Sequence, residues 1–297
     1  MRVETLHIEL LHACPLKCLA CDHRLLGGAR LSLEKLGPVL RSPVFRDLRL
    51  ISFSGGEPAL HPELGAIIKA AAGTFSSARL ILLSGLSEGS RLENTLKDLT
   101  PSVLSRLHIG SSLDGPGPIH DAMRGRAASF ARLKTAHARI KTYFPQVSTG
   151  FTFTATAINA AYFYEAWKAA GRELGAPLSL QFLVPNANTS RLELKAADKG
   201  KLAAGLESAI ADRSSAIYGI SAPGLTSALL FLKGKNHALS CGAGKTFLML
   251  SPEGRFYLCP FHKEITASLP GISGLRARLK GPGLKACASC FLRCARP

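Results

Sequence analysis

Cys14, Cys18 and Cys21 stand together as C-P-L-K-C-L-A-C, and the next cysteine in the chain is Cys241. Three thiolates at this spacing can hold one metal centre from a single loop. A cubane has four irons, so three local ligands leave one iron without a cysteine, and an open position separates a reactive metal from a structural one. The loop therefore suggests an iron–sulfur cluster that binds a further group at its fourth iron. A zinc site of Cys14, Cys18, Cys21 and His23 is the alternative that these four residues allow. A second group of residues able to do chemistry is Ser54-Gly55-Gly56-Glu57-Pro58. The glycine pair lets backbone approach a ligand closely, Glu57 can meet a ligand ammonium, and Pro58 stiffens the turn; an ordinary strand-to-helix turn would use the same glycines. A third lies at the other end of the chain, where Cys241, Cys259, Cys287, Cys290 and Cys294 gather in the last 57 residues.

Elements that place these residues can be read from periodicity. Apolar, β-branched or aromatic runs recur over residues 5–11, 48–53, 79–83, 106–113, 148–155 and 178–184. Helical patterns lie between them: one beginning near Pro62 and stopping before Gly73, then 91–99, 130–142 and 161–174. Six strand–helix repeats imply parallel strands with right-handed crossovers. The pattern stops near residue 213, so a partial (β/α)6 TIM-like barrel is expected rather than a closed eight-unit barrel. In such a fold the loops after the strands carry the chemistry. The cysteine loop follows the first strand, Gly55-Gly56-Glu57 the second, Ser84-Gly85 the third, Asp114-Gly115 the fourth, and Asn186 and Asn188 the sixth, so the unusual residues share one rim. Beyond this, 246–250 and 255–258 read as a hairpin joined by Ser251-Pro252-Glu253-Gly254, with Cys241 before it and Cys259 at its end. The expected organisation is a barrel over 1–213, then a linker and a small cysteine-rich β-hairpin/helix module over 214–297.

Composition narrows the class. The chain has 297 residues with 46% hydrophobic content, enough for one large domain or two modest ones. Residues 1–13 do not read as a signal peptide, and cysteine clusters in that setting read as metal or redox sites in the reducing cytoplasm rather than disulfides. The charge-free run 214–232 holds five Ser or Thr, two glycines and Pro223, so it reads as a buried or interfacial segment and no transmembrane span is expected. The net charge of +17 favours an anionic partner. Part of it is local: residues 241–297 hold nine Lys or Arg against Glu253 and Glu264, and thiolate-held clusters there would offset some of that charge.

The C-x3-C-x2-C loop after a first strand, followed by Gly-Gly-Glu-Pro after the second, resembles the radical S-adenosylmethionine (SAM) superfamily over roughly residues 5–190. The residue before the third cysteine, often aromatic in that family, is Ala20 here. The resemblance implies a 4Fe–4S cluster on Cys14, Cys18 and Cys21 that binds S-adenosylmethionine at its open iron, receives an electron from a flavodoxin- or ferredoxin-type donor, cleaves the sulfonium and yields a radical that takes hydrogen from a substrate. Gly55, Gly56 and Glu57 match the family's methionine-amine contacts, and Ser112 and Asp114 are candidates for ribose or carboxylate contacts. The stretch S-L-D-G-P-G-P-I-H-D-A-M-R-G from Ser112 resembles a subgroup with an extra C-terminal cluster module, many of whose members modify peptides or proteins. Arg124 could then pair with a carboxylate near the cluster, or with Asp121 one helical turn away. Cys241, Gly254 and Cys259 resemble the opening of SPASM and twitch modules and Cys287/Cys290 their second half. This implies one auxiliary 4Fe–4S cluster on Cys241, Cys259, Cys287 and Cys290, with Cys294 replacing one of them, free, or near the substrate. A zinc knuckle is the structural alternative for these cysteines. The expected activity is peptide or protein oxidation or crosslinking; the alternatives are oxidation or rearrangement of a small molecule (sugar, nucleotide or lipid headgroup), or a non-catalytic metal-bearing nucleic-acid binder, which leaves Gly-Gly-Glu-Pro unexplained.

Overall fold

The computed structural model describes residues 2–212, 222–235, 241–274 and 277. Its strands are β1 (Thr5–Glu9), β2 (Leu50–Ser54), β3 (Arg79–Leu83), β4 (Leu107–Ser112), β5 (Ser148–Ala155), β6 (Leu178–Phe182), β7 (Phe247–Leu250), β8 (Phe256–Tyr257) and β9 (Thr266–Ala267). The helices are α1 (Leu33–Leu40), α2 (Leu64–Thr74), α3 (Gly89–Lys97), α4 (Pro101–Leu104), α5 (Gly117–Arg124), α6 (Ser129–Tyr143), α7 (Phe163–Lys168), α8 (Ala196–Ala211) and α9 (Ala222–Leu232). One sheet runs β6-β5-β4-β3-β2-β1-β7-β8-β9. Neighbours from β6 through β1 to β7 are parallel, and the last two pairings are antiparallel. This is the partial barrel the strand–helix repeat predicts.

Alternation along each strand sorts the two faces. Leu6, Ile8, Ile51, Phe53, Leu80, Leu82, Ile109, Phe151, Phe153 and Leu180 share one core with helix residues such as Leu36, Ile67, Leu133 and Trp167. The other face is polar: His7 and Glu9 on β1 stand beside Ser52 and Ser54 on β2, and Ser112, Thr154 and Gln181 line the lumen at the rim.

Several bounds differ from the periodicity reading. Residues 161–174 are not one helix but α7 followed by a π-turn at Ala169–Glu173, closed by Gly175 at φ +58°. Helix α2 starts at Leu64 and runs through Gly73. Helices α1 and α8 were not expected from the sequence; α1 contains Pro38, and α8 contains Gly200 and Gly205. The hairpin β7–β8 is present, but β7 lies beside β1, so the sheet continues across residue 213. Within the apolar run 214–232, residues 222–232 form α9, where Phe231 packs on Phe182 with ring centroids 4.7 Å apart. Among the described residues no helix is long and apolar enough to cross a membrane. Cys287, Cys290 and Cys294 lie outside the described residues.

Candidate active site

Backbone geometry explains the glycine pair first. Gly55 has φ +130°, and a Cβ on it would stand 2.3 Å from the Leu11 carbonyl oxygen; one on Gly56 would stand 2.2 Å from the Ala13 oxygen. No side chain fits there, so the chain can pass against residues 10–13 only with two glycines. The Gly56 N–H donates to Leu11 O (2.6 Å) and the Glu57 N–H to Ala13 O (2.9 Å), which pins the start of the cysteine loop to the end of β2. Glu57 is fully buried and accepts from Ser84 Oγ (2.8 Å), Gly85 N–H (2.9 Å) and Ala59 N–H (3.1 Å). Burial pushes its carboxyl above the usual range while these three donors pull it down. Glu57 thus ties the β2 loop to the β3 loop, and its carboxylate faces that junction.

Two other elements hold the rest of the loop. The Lys17 and Leu19 N–H groups donate to the carbonyls of Arg124 and Met123 at the end of α5. Gly125 caps α5 at φ +61°, where a Cβ would meet Lys17 O at 2.1 Å. On the far side, Asn186 Nδ2 donates to Ala20 O (2.9 Å) and Asn188 Nδ2 to Cys21 O (2.6 Å). The loop is gripped at three places by loops from β2, α5 and β6.

The grip presents charge at one point. Arg124 pairs with Asp114, which is 1% exposed, and its Nη1 lies 3.7 Å from Cys18 Sγ. Burial opposes the Arg124 charge, but the Asp114 carboxylate and the Cys18 sulfur more than offset it and raise its pKa. Asp114 also accepts from the Thr154 N–H, and its own N–H donates to His120 Nδ1. His120 is buried, and burial with the nearby Arg124 lowers its pKa to about 3, so it stays neutral. Asp121 does not pair with Arg124; its carboxylate accepts from the N–H groups of Ala128 and Phe130 instead.

Above these residues opens a rim cavity of about 200 Å³ lined by Cys18, Cys21, Ser112, Asp114, Arg124 and Gln181, among others. Of the residues singled out in the sequence, Cys18, Cys21, Ser112, Asp114 and Arg124 meet at this cavity, and Gly55, Gly56 and Glu57 act behind it. Cys241 is exposed and Cys259 buried beyond β8. Sequence reading did not single out Thr154, Gln181 or Met123; alternation along β5 and β6 already places the first two on the lumen face near the strand ends.

The donor set suits an anionic cluster. Cys14, Cys18 and Cys21 are free thiols, and among the described residues no three His, Cys, Asp or Glu side chains stand in ion-holding geometry. Burial pushes Cys14 up to about 11 and also raises Cys21, with the neighbouring cysteines adding to both shifts, so a metal would bind here with release of protons. Arg124 Nε is buried without a hydrogen-bond partner, on the same guanidinium whose Nη1 lies 3.7 Å from Cys18 Sγ.

The sequence model described as the Radical SAM superfamily matches residues 8–165, just over half of the chain. The chain belongs to the radical SAM superfamily. Among solved structures, anSMEcpe with bound AdoMet and the Kp18Cys peptide matches at TM-score 0.63 and 19% identity, over 86% of this chain and 74% of that one. SuiB of Streptococcus suis bound to S-adenosylmethionine matches at TM-score 0.63 and 14% identity, over 87% of this chain and 60% of SuiB. At these identities the likeness is one of fold. Among curated proteins, none matches the chain in sequence. Family membership supports an enzyme and implies a 4Fe–4S cluster with S-adenosylmethionine.

Proposed function

We propose that this radical SAM protein is a peptide- or protein-modifying enzyme whose first cluster is held by Cys14, Cys18 and Cys21. The observation that carries the reading is the cysteine loop, clamped from three sides and opening on a rim cavity where Arg124 bridges Cys18 and Asp114. A 4Fe–4S cluster with S-adenosylmethionine, held there by Cys14, Cys18 and Cys21, would supply one-electron cleavage of the sulfonium bond and hydrogen-atom abstraction from a substrate. The chain's own residues hold and aim. The glycine pair and Asn186/Asn188 fix the loop, Arg124 offers charge to a carboxylate, and Ser112 and Asp114 offer polar contacts at the β4 end. Support for a peptide substrate comes from the Ser112–Gly125 segment and from two fold neighbours described with peptides, anSMEcpe with Kp18Cys and SuiB with its precursor SuiA.

The division at residues 213 and 214 and an auxiliary cluster on Cys241, Cys259, Cys287 and Cys290 belong to the same proposal, as do an acidic one-electron donor and a cytoplasmic site of action. Anaerobic reconstitution is expected to load about eight irons per chain, as two cubanes; about four would remove the auxiliary cluster. Cys18→Ala is expected to abolish 5′-deoxyadenosine formation with dithionite, and retained formation would end the first-cluster assignment.

A further inference from the structure

A second cavity lies in the barrel lumen, beneath the rim. It measures about 430 Å³ and is bounded by Ile81, Leu83, His108, Thr152, Ser179 and, from α9, Leu225. That volume falls within the roughly 300–1,000 Å³ typical of ligand sites. The strands place it under the rim cavity: Ser112, Thr154 and Gln181 line the upper space, and Gly110, Thr152 and Ser179, two residues earlier on the same strands, line the lower. Two residues along a strand advance roughly 7 Å. A group seated in the lower chamber therefore sits one pleat below Cys18 and Arg124.

The chamber's walls differ in chemistry from the rim. No Asp, Glu, Lys or Arg is among the described residues that line it, and His108 is its one titratable group. Burial, with Arg79 nearby, lowers the pKa of His108, which keeps it neutral at pH 7. The hydroxyls are already engaged: Ser179 Oγ lies 3.1 Å from Phe151 O, Thr152 Oγ1 lies 3.0 Å from Ser179 Oγ, and His108 Nδ1 lies 3.0 Å from Ser148 Oγ. An aliphatic occupant would leave no wall group newly unpaired, whereas a charged one would lose its hydration with no oppositely charged group among the described lining residues. Leu83 is 40% exposed although it stands on an inner strand, so it offers apolar surface to the chamber. Glycines keep the space open. A Cβ on Gly110 would stand 2.7 Å from Leu83 Cδ2, and one on Gly150 would stand 3.2 Å from His108 Cε1.

We propose that this lumen chamber is the specificity pocket for the reacting part of the substrate, and that it takes an uncharged aliphatic or hydroxylated group and rejects carboxylates and ammonium ions. The assignment of the group as substrate rests on the radical reading above; the pocket's selectivity does not. The test is saturation-transfer and titration NMR on the full chain with capped amino-acid probes. The capped amides of leucine and threonine should bind about tenfold or more tightly than those of glutamate and lysine, the scale of an uncompensated desolvation. Methyl glucoside serves as a second uncharged probe: its preference over the amides assigns the chamber to a small-molecule substrate, and the reverse assigns it to a peptide side chain. Ser179→Trp takes up part of the space and should weaken uncharged-probe binding by about tenfold or more. Leu83→Ala enlarges it and should raise the affinity for capped tryptophan amide above the parent's; this arm decides if the Ser179 variant does not fold. Equal binding of charged and uncharged probes, no binding of any uncharged probe, or binding unmoved by the variant that folds overturns the proposal. Binding of S-adenosylmethionine, measured on the same samples, reports separately on the rim.

Discussion

Arg124 reaches Asp114 and Cys18 from the last turn of α5, and each contact depends on the planar fork of a guanidinium. Removing it leaves Asp114 buried without its counter-charge. Arg124→Ala is therefore expected to destabilise the apoprotein by about 3 kcal/mol or more, and Arg124→Lys by less, because an ammonium can still meet one carboxylate oxygen. Urea unfolding of the metal-free protein checks both; equal stability of the Ala variant and the parent would show that the pair contributes nothing. His120, next to this pair, gives a pH signature. Its folded pKa of about 3 lies below the ordinary 6.5, so between those values the unfolded chain binds a proton that the native state does not. Stability is then complete above about pH 6.5 and lost as pH falls toward 3, by about 2 kcal/mol at pH 5. His137, lowered to about 4 by burial, adds a loss of the same sign. His120→Gln keeps an acceptor for the Asp114 N–H and should flatten the thermal midpoint's fall between pH 7 and 5; an unchanged slope would place the effect elsewhere. The sequence already marked Arg124, yet it offered Asp121 as a partner at helical spacing. Which carboxylate wins depends on where β4 ends relative to α5, and no local pattern contains that.

The cysteine loop takes its shape from neighbouring elements, which is why its residue types were legible and its supports were not. Glycine pairs announce a close approach, but only the packed fold says to what: here, the carbonyls of residues 11–13. Gly56→Ala forces a Cβ into backbone that cannot swing aside. The expected result is a loss of several kcal/mol or failure to fold, together with loss of iron uptake; a stable, iron-loading variant would contradict the geometry. Asn186 and Asn188 act more gently. Their amides bond to backbone carbonyls at the loop's end, so Asn188→Ala should cost about 1 kcal/mol and speed iron loss to a chelator more than it lowers the thermal midpoint. Strand positions were readable from apolar, β-branched or aromatic runs, and β3 and β5 fall on their expected bounds. Helix α8 was not readable: Gly200 and Gly205 interrupt its pattern, and burial of Leu202, Leu206 and Ala209 carries the helix through them. In α1, Gly37-Pro38 reads as a break, but the Ser32 cap and burial of Leu36, Val39 and Leu40 carry the helix through it.

At the scale of the whole molecule, residues 241–274 are joined to the barrel by sheet and core. The hairpin's composition and turn were plain in the sequence; its pairing with β1, some 240 residues earlier, was not, because long-range strand pairing leaves no periodic trace. Strand β7 bonds in parallel with β1 from Thr5 to Ile8, and Leu248, Leu250 and Phe256 lie in the same apolar core as Leu6 and Ile8. Phe256 stacks on Phe45, which follows α1, at a centroid distance of 5.6 Å. A segment buried in this way should unfold with the barrel rather than before it. The single tryptophan, Trp167 on α7, packs near β5 at the other side of the sheet and reports on the barrel alone. Phe256→Ala removes a fully buried ring and should cost about 3–5 kcal/mol. If the chain is one cooperative unit, Trp167 fluorescence and far-UV circular dichroism will move together to lower denaturant by that amount. If instead the fluorescence midpoint stays with the parent while circular dichroism gains an early phase, the hairpin is a separate folding unit, and the boundary near residue 213 is thermodynamic as well as compositional.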